Sequence, residues 1–176
     1  NLGPERGIVE LVKAMKIVIG EIDNSFLSIY GAFRTKEYEK KVKKIIISLG
    51  LSDYIDLNKH IPHIEIWNKL RGHEVGVIPF LDNPLTRLGI PTKLFEFMAA
   101  GCQLVVPKLT PYSKYKFKGA KKFKAGDINE LAKAIIDAFD DIGQHNIKYN
   151  KEKVNTSYNW DNNSYKLINL YDRVLS

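Results

Sequence analysis

The stretch Leu-Gly-Ile-Pro-Thr-Lys-Leu-Phe-Glu-Phe-Met-Ala-Ala-Gly at residues 88–101 decides the fold of this chain. Proline in the first turn, at Pro91, and glycine past the end, at Gly101, predict a helix over residues 91–100. The apolar run at residues 104–106 predicts a buried strand directly after it. A helix that leads into a buried strand is the repeating unit of an α/β protein.

The same alternation extends along the chain on both sides of this stretch. Apolar runs predict strands, and apolar residues at helical spacing predict helices. The predicted strands are residues 26–30, 54–57, 75–80, 104–106 and 120–123, and the predicted helices begin near residues 3, 36, 62, 91, 127 and 165. Strands that alternate with helices at this spacing form right-handed βαβ units.

We therefore predict the α/β class, with a Rossmann-like, doubly wound parallel sheet that has helices on both faces, in a single domain over residues 1–176. Ligands of such sheets bind in loops outside the carboxyl ends of the strands. This architecture expects a central strand before the first helix, whereas the chain opens on a helix at Gly3. We therefore expect that the first strand is truncated and that the sequence begins just after it, inside a longer protein.

Composition narrows the classes of function. Hydrophobic residues make up 44% of the 176 residues and charged residues 27%, which is ordinary for a globular domain and excludes disorder. A single cysteine, Cys102, excludes an internal disulfide framework and a cysteine zinc site, and favours the cytoplasm. No metal site is predicted, because His60 and His63 have no further histidine or cysteine neighbours and are interpreted as loop histidines.

The net charge of +7 is local. Seven lysines and no acidic residue lie between Lys108 and Lys124, and they account for the whole excess. Aromatic residues lie among them, so one hypothesis is single-stranded nucleic acid binding by stacking. A second is contact of residues 112–124 with an anionic membrane surface, and a third is a solvated loop. Because no nucleic-acid-binding fold is recognised, the lipid surface is favoured over nucleic acid.

The stretch at residues 88–101 suits a phosphorylated ligand. A glycine and a proline turn the chain into a helix whose free N–H groups and positive dipole end face the strand ends, and Lys93 adds a full charge. Glu96 lies one turn after Thr92 and Lys93, so the three share a face. A carboxylate in apolar surroundings needs partners, which ribose hydroxyls would supply. The alternative is a surface ion pair between Lys93 and Glu96.

The sequence resembles the C-terminal, donor-binding domain of GT-B glycosyltransferases of family 4, which use sugar nucleotides. The specific match is residues 91–101 followed by Leu104-Val105-Val106. Glu5-Arg6-Gly7 is similar to the family's Glu-Lys-Gly helix start, and residues 158–171 are similar to its closing helix. Weaker matches along the strands extend the resemblance over almost the whole chain.

The resemblance implies binding roles for nine residues. Glu96 matches the glutamate that holds the nucleotide ribose, and Arg6 matches the basic residue that neutralises the diphosphate. Thr92 and Lys93, with the backbone of Gly89, Ile90 and Pro91, occupy positions that contact phosphate and donor sugar, while His60 and Ile61 lie in the loop that cups the base. The alternative for His60 is an ordinary surface histidine. No catalytic residue is assigned.

The resemblance also implies an activity: transfer of a sugar from a UDP or GDP sugar to an acceptor held by an N-terminal domain, with retention and with no metal or other cofactor. This chain departs from the family at Leu88, where a first glutamate is expected, and at Asn1, where a further basic residue is expected. We expect the isolated chain to bind nucleotide sugar without turnover, in the cytoplasm or at the inner face of the membrane. Two alternatives are a non-catalytic nucleotide- or partner-binding module and a nucleic-acid-binding domain.

Overall fold

The computed structural model describes residues 1–58, 61–89 and 91–175. The helices are α1 (Ile8–Glu21), α2 (Lys36–Ser48), α3 (His63–Leu70), α4 (Pro84–Leu88), α5 (Thr92–Ala100), α6 (Thr110–Ser113), α7 (Ile128–Asp140), α8 (Gln144–Thr156) and α9 (Ser164–Leu175). The strands are β1 (Leu27–Tyr30), β2 (Ile55–Asn58), β3 (Val75–Val77), β4 (Gln103–Pro107) and β5 (Lys121–Phe123). A 3₁₀ turn, Pro4–Arg6, precedes α1.

All described strand pairs are parallel, as the alternation of strands and helices predicts. β1 pairs with β2, with Leu27 opposite Ile55. β3, β4 and β5 form a second sheet in that order. The α/β class and the Rossmann-like arrangement are therefore confirmed. The strands of the described residues form two sheets instead of one continuous sheet, since no backbone ladder joins β1 or β2 to β3, β4 or β5.

Strand β4 shows how helices cover both faces of the larger sheet. All five of its residues are buried. Val105 packs into a cluster with α1, α2 and α7, whereas Leu104 and Val106 on the opposite face pack with Leu94 and Met98 of α5. A strand that is apolar on both faces belongs to a sheet with helices on each side. This layering places the N-terminus of α5 at the carboxyl ends of the strands.

Four elements differ from the sequence prediction. The helix predicted from Gly3 is a 3₁₀ turn and a separate helix α1, because Gly7 between them has a left-handed φ of 66°. The short helices α4 and α6 and the longer α8 were not predicted. The closing helix α9 is confirmed, but none of its residues is buried, and its apolar side chains, including Ile168 and Tyr171, are exposed.

Candidate functional site

A cavity of about 580 Å³ opens at the carboxyl ends of the strands. Its walls come from the 3₁₀ turn, from β1 and the loop after it, from the end of β3, and from the beginning of α5. Several predicted binding residues line it: Arg6, Ile61, Gly89, Pro91, Thr92, Lys93 and Glu96. The remaining two, His60 and Ile90, lie outside the described residues. The predicted site residues that can be placed therefore share one cavity.

The N-terminus of α5 forms one wall of this cavity. Pro91 is the N-cap residue and no side chain caps the helix, while the Leu94 N–H donates to the Pro91 carbonyl at 3.0 Å. The side chains of Thr92 and Lys93 are exposed, and Lys93 forms no ion pair with any residue that the structure describes. The helix dipole and the Lys93 charge thus both favour an anion at this wall.

Glu96 lies on the same face of α5, one turn further along, and is half-buried. The helix is held against the sheet by Leu94 and Met98, which are fully buried on its other side. At Gly76 of β3 an added Cβ would overlap the ring of Phe97, so the absence of a side chain lets α5 approach the strand closely. This close packing fixes Glu96 on the cavity wall, as the helical spacing predicts.

Arg6 lines the same cavity from a different element, the end of the 3₁₀ turn. Its guanidinium carbon lies 4.5 Å from the centre of the Phe80 ring, and its Nε lies 3.6 Å from Oε1 of Glu5. A cation over an aromatic face and beside a carboxylate is held in place by both. The side chain remains 34% exposed, so its charge is still available to a ligand in the cavity.

Glu5 is shared between two arginines. Arg34 donates from both of its terminal nitrogens to the two carboxylate oxygens of Glu5, one of these bonds measuring 3.3 Å. Burial raises the pKa of Glu5, but hydrogen bonds from its own backbone N–H and from Arg34 outweigh this, and the pKa is lowered. The carboxylate is therefore charged at neutral pH and orients Arg6 at the cavity mouth.

Gly7 connects this turn to α1 and lies against the chain that leaves β3. An added Cβ would overlap the carbonyl oxygen of Pro79 and lie 2.9 Å from its carbonyl carbon. The left-handed φ of Gly7 is also one that other residues adopt at a cost. The glycine of the Glu5-Arg6-Gly7 motif thus sets the distance between Arg6 and the end of β3.

Helix α4 brings Gly89 to the mouth of the cavity. Asn83 and Thr86 form a capping box: the Asn83 side chain accepts from the Leu85 and Thr86 N–H groups, and Oγ1 of Thr86 accepts from the Asn83 N–H. Buried Oγ1 of Thr86 also donates to the Leu81 carbonyl at 2.5 Å. The pair Asn83-Pro84 was the sequence signal for this helix, since both are typical of helix starts.

Leu88, where the family pattern expects a glutamate, does not line the cavity and is 86% exposed. Sequence reasoning missed several aromatic lining residues, among them Tyr30 and His73. Tyr30 at the end of β1 and His73 before β3 have ring centres 6.3 Å apart. The pattern of apolar residues does not indicate that Tyr30 and His73 lie close together. Among the residues that the structure describes, no cluster of three or more histidine, cysteine or carboxylate side chains could bind a metal ion.

The family pattern described as glycosyl transferases group 1 matches residues 1–154, which include both walls of the cavity. The chain belongs to this family. No curated protein matches the sequence of this glycosyltransferase domain. The resemblance of residues 91–101 and Glu5-Arg6-Gly7 to glycosyltransferases is therefore confirmed at the level of the family.

Solved structures share the fold of this glycosyltransferase domain at low identity. Sucrose-phosphate synthase from Thermosynechococcus elongatus aligns with a TM-score of 0.83 and 19% identity, over 98% of this chain and 43% of that chain. HepE from Anabaena, crystallised with UDP and with UDP-glucose, aligns with a TM-score of 0.70 and 16% identity, over 86% and 40%.

A third structure is the C-terminal domain of a group 1 glycosyl transferase (LpcC) from Francisella tularensis. It aligns with a TM-score of 0.73 and 15% identity, over 89% of this chain and 82% of that chain. The glycosyltransferase domain described here thus spans less than half the length of the sucrose-phosphate synthase and HepE chains. It spans most of a C-terminal domain that was studied by itself.

The segment with seven lysines, residues 108–124, which we call the lysine segment, packs against the rest of the glycosyltransferase domain. Tyr115 packs against Phe95 of α5 and against Tyr158, with ring centres 5.2 and 5.5 Å apart. The Lys118 backbone exchanges two hydrogen bonds with the buried side chain of Asn150, at 2.9 and 3.0 Å. The segment is therefore an ordered part of the surface, anchored to α5 and α8.

Two lysines of this segment have partners that the sequence count did not reveal. Lys108 Nζ lies 2.9 Å from Glu130, and Lys121 Nζ lies 2.8 Å from Asp141. The other five lysines have exposed side chains: Lys114, Lys116, Lys118, Lys122 and Lys124. The rings of Tyr115 and Phe117 pack against a buried cluster, so they are not free for contact with a membrane. In the described part of the chain, no helix has the length and hydropathy to span a bilayer.

Proposed function

We propose that residues 1–176 form the domain of a glycosyltransferase that binds a nucleoside diphosphate sugar, UDP or GDP sugar, as the donor substrate. The observation that carries this proposal is one cavity with Arg6 on one wall and Lys93 and Glu96 at the uncapped N-terminus of α5 on the other. Two cations and a helix dipole suit a diphosphate, and a half-buried carboxylate suits ribose hydroxyls. HepE, a structural neighbour, holds UDP and UDP-glucose.

In this proposal each wall has a distinct task. Arg6 and Lys93 neutralise the diphosphate together with the first N–H groups of α5, while Thr92 and the backbone of Gly89 and Pro91 contact phosphate or sugar. Glu96 accepts hydrogen bonds from the ribose. The backbone near Ile61 lies at the cavity edge, where a base would fit. No metal is required, since the positive groups of the protein face the anionic ligand.

The reaction is transfer of the sugar. The bond between the anomeric carbon and the diphosphate oxygen breaks, the acceptor hydroxyl oxygen forms the new bond at that carbon, and the hydroxyl proton passes to the departing diphosphate. Negative charge then grows on the departing nucleoside diphosphate. Arg6 and Lys93 stabilise this charge more strongly than that of the bound donor, which lowers the barrier. Leu88 is exposed and does not line the cavity. In this proposal, retention of configuration at the anomeric carbon therefore depends on how the donor and the acceptor are positioned, and not on a carboxylate at position 88.

The acceptor is held by an N-terminal domain of the parent protein. The coverage of two longer neighbours, less than half of whose length this domain spans, supports this part of the proposal. The isolated domain consequently binds the donor without transferring the sugar. A longer chain that carries both parts would transfer it in the assembly of a glycan.

The experiment that tests this proposal is calorimetric titration with UDP, GDP and the corresponding nucleosides. Glu96→Gln removes the negative charge of the side chain without changing its size. We expect this variant to bind one of the nucleotides about 1–3 kcal/mol more weakly than the wild type. Glu152→Gln on α8 is the matched control, since Glu152 is exposed and does not line the cavity. Equal affinity of wild type and Glu96→Gln for a nucleotide that binds well would remove Glu96 from the site.

We also propose that the exposed lysines of the lysine segment contact anionic lipid at the cytoplasmic face of a membrane. Exposed lysines near such a surface contribute about 1 kcal/mol each. A variant with Lys114, Lys116, Lys118 and Lys122 changed to Gln should lose binding to phosphatidylserine vesicles. The matched control changes four exposed lysines of α2, Lys36, Lys40, Lys41 and Lys44. Equal loss in both variants, or no vesicle binding by the wild type at low salt, would contradict this.

A further inference from the structure

Arg34 and Arg6 both lie next to the carboxylate of Glu5, at the edge of the proposed donor site. Arg34 donates from both of its terminal nitrogens to the two carboxylate oxygens, and one of these bonds measures 3.3 Å. Nε of Arg6 lies 3.6 Å from Oε1 of Glu5, which is too long for a hydrogen bond. The carboxylate is therefore bonded to Arg34 and only lies beside Arg6.

The interaction with Arg34 is the stronger of the two for a geometric reason. A guanidinium that donates to both oxygens of a carboxylate forms two parallel charge-assisted bonds and fixes the plane of the carboxylate. The Glu5 side chain is only 15% exposed, so water can replace little of what Arg34 supplies. If the Arg34 guanidinium were removed, Arg6 would be the cation that the structure places nearest to this carboxylate.

The backbone holds the two partners on different parts of the chain. The Arg34 N–H donates to the Leu2 carbonyl at 3.0 Å, and the Glu5 carbonyl accepts from the Leu81 N–H at 3.1 Å. Thr35, the residue after Arg34, is the N-cap residue of α2. The side chain of Arg34 can therefore be changed while the backbone contacts that place residue 34 are retained.

Gly3 leaves the space that this ion pair occupies. An added Cβ at residue 3 would lie 2.8 Å from Cζ of Arg34 and 2.8 Å from Oε1 of Glu5. The backbone of Gly3 is extended, with φ −108° and ψ 169°, so other residues adopt it without strain. An alanine at this position would thus push the two charged groups apart without removing either of them.

Of these three charged residues, Arg6 lines the cavity, whereas Glu5 and Arg34 do not. A carboxylate that bonded to Arg6 would neutralise the charge that a diphosphate needs, and the ligand would have to break that ion pair before it could bind. Because Arg34 holds the carboxylate, the Arg6 guanidinium keeps its N–H groups for a ligand. An effect of Arg34 on diphosphate binding must therefore act through Arg6.

We propose that Arg34 is a positioning residue of the donor site: it holds the Glu5 carboxylate and so keeps the Arg6 guanidinium available to the diphosphate. The identity of the ligand rests on the proposed function, but the competition of two arginines for one carboxylate is a property of the protein alone. Without the Arg34 guanidinium, Glu5 turns to Arg6 and closes the separation of 3.6 Å to form a hydrogen bond. A diphosphate then competes with Glu5 for Arg6.

The binding experiment is calorimetric titration of Arg34→Gln with UDP, GDP and the corresponding nucleosides. We expect the diphosphate to bind about three- to fivefold more weakly than it binds the wild type, which is the strength of a partly exposed ion pair that the ligand must break. Affinity for the nucleoside should not change. Arg87→Gln is the matched control, because Arg87 also donates to both oxygens of a carboxylate, that of Asp82, and does not line the cavity.

A double-mutant cycle with Glu5→Gln shows whether Arg34 acts through the carboxylate. In a chain that carries Glu5→Gln, no carboxylate at residue 5 competes for Arg6, so the further change Arg34→Gln should leave the affinity for diphosphate unchanged. An equal loss of affinity in both backgrounds would overturn the proposal. Arg34 would then contact the ligand itself or support the loop after β1.

A second measurement needs no ligand. It follows by NMR the exchange with water of the Arg6 Nε proton in the free protein, at one pH. In Arg34→Gln this exchange should slow about threefold or more relative to the wild type, because the proton is then donated to Glu5. Unchanged exchange would overturn the proposal.

The two measurements separate the role of Arg34 from the proposed function. If the wild type bound neither UDP nor GDP, the proposed function would fail, while the Arg6 proton would still decide whether Arg34 keeps Glu5 away from Arg6. Should Arg34→Gln fail to fold, Gly3→Ala takes its place in both measurements, with the same expected changes and the same result that would overturn the proposal.

Discussion

Replacement of Gly7 by alanine tests how the backbone positions Arg6. Two costs apply to Gly7→Ala. The left-handed φ of 66° costs about 1–2 kcal/mol for a residue with a Cβ. The new Cβ also overlaps the Pro79 carbonyl group, which is backbone and cannot rotate away, and overpacking of this kind costs about 1–3 kcal/mol.

Gly50→Ala is the matched control for this substitution. Gly50 has nearly the same φ, 68°, and nothing lies within 4 Å of an added Cβ. Gly50→Ala therefore has the same conformational cost in the folded state and the same reduction of entropy in the unfolded chain, but no overlap with neighbouring atoms. We expect the free energy of unfolding to fall about 1–3 kcal/mol further in Gly7→Ala than in Gly50→Ala, within a total of about 5–15 kcal/mol for a domain of this kind.

The assay is urea denaturation of the two variants and the wild type, followed by titration with nucleoside diphosphate below the unfolding transition. Because relief of the overlap must move the turn that carries Arg6, Gly7→Ala should also bind diphosphate more weakly, whereas Gly50→Ala should not. Equal stability of the two variants would refute the reasoning, since it would mean that the chain after β3 adjusts without cost.

Three further predictions concern the site and its supports. Lys93→Ala should weaken binding of nucleoside diphosphate more than binding of nucleoside, and this difference should shrink as the salt concentration rises. The measurement is calorimetry, with Lys148→Ala as the control at an exposed lysine. An equal loss of affinity for both ligands would indicate structural damage. Asn83→Ala, which removes the cap of α4, should lower the free energy of unfolding by about 1 kcal/mol in urea denaturation; no change would mean that Thr86 alone holds the helix. Burial raises the pKa of the Cys102 thiol to about 11. The folded state thus keeps a proton that the unfolded state loses near pH 9, so stability should fall between pH 9 and 11, less steeply in Cys102→Ala; equal slopes would contradict this.

The elements that sequence predicts best are those that bury apolar side chains. The strands and α5 follow from apolar runs and from their proline and glycine limits. Helix α8 escaped prediction because its buried anchor, Asn150, is polar and is satisfied by the Lys118 backbone. A pattern of apolar residues cannot detect such a contact. Helix α4 was missed because it has only five residues, although Asn83 marks its start.

For the site, sequence could predict one wall from local chemistry and the other only from the family resemblance. Thr92, Lys93 and Glu96 lie within two turns of one helix, so helical spacing alone places them on a common face. The approach of Arg6 to that face depends on contacts between distant parts of the chain, such as Gly7 with Pro79. Likewise, the ion pairs of Lys108 and Lys121 with acidic residues of later elements are invisible to a count of local charge.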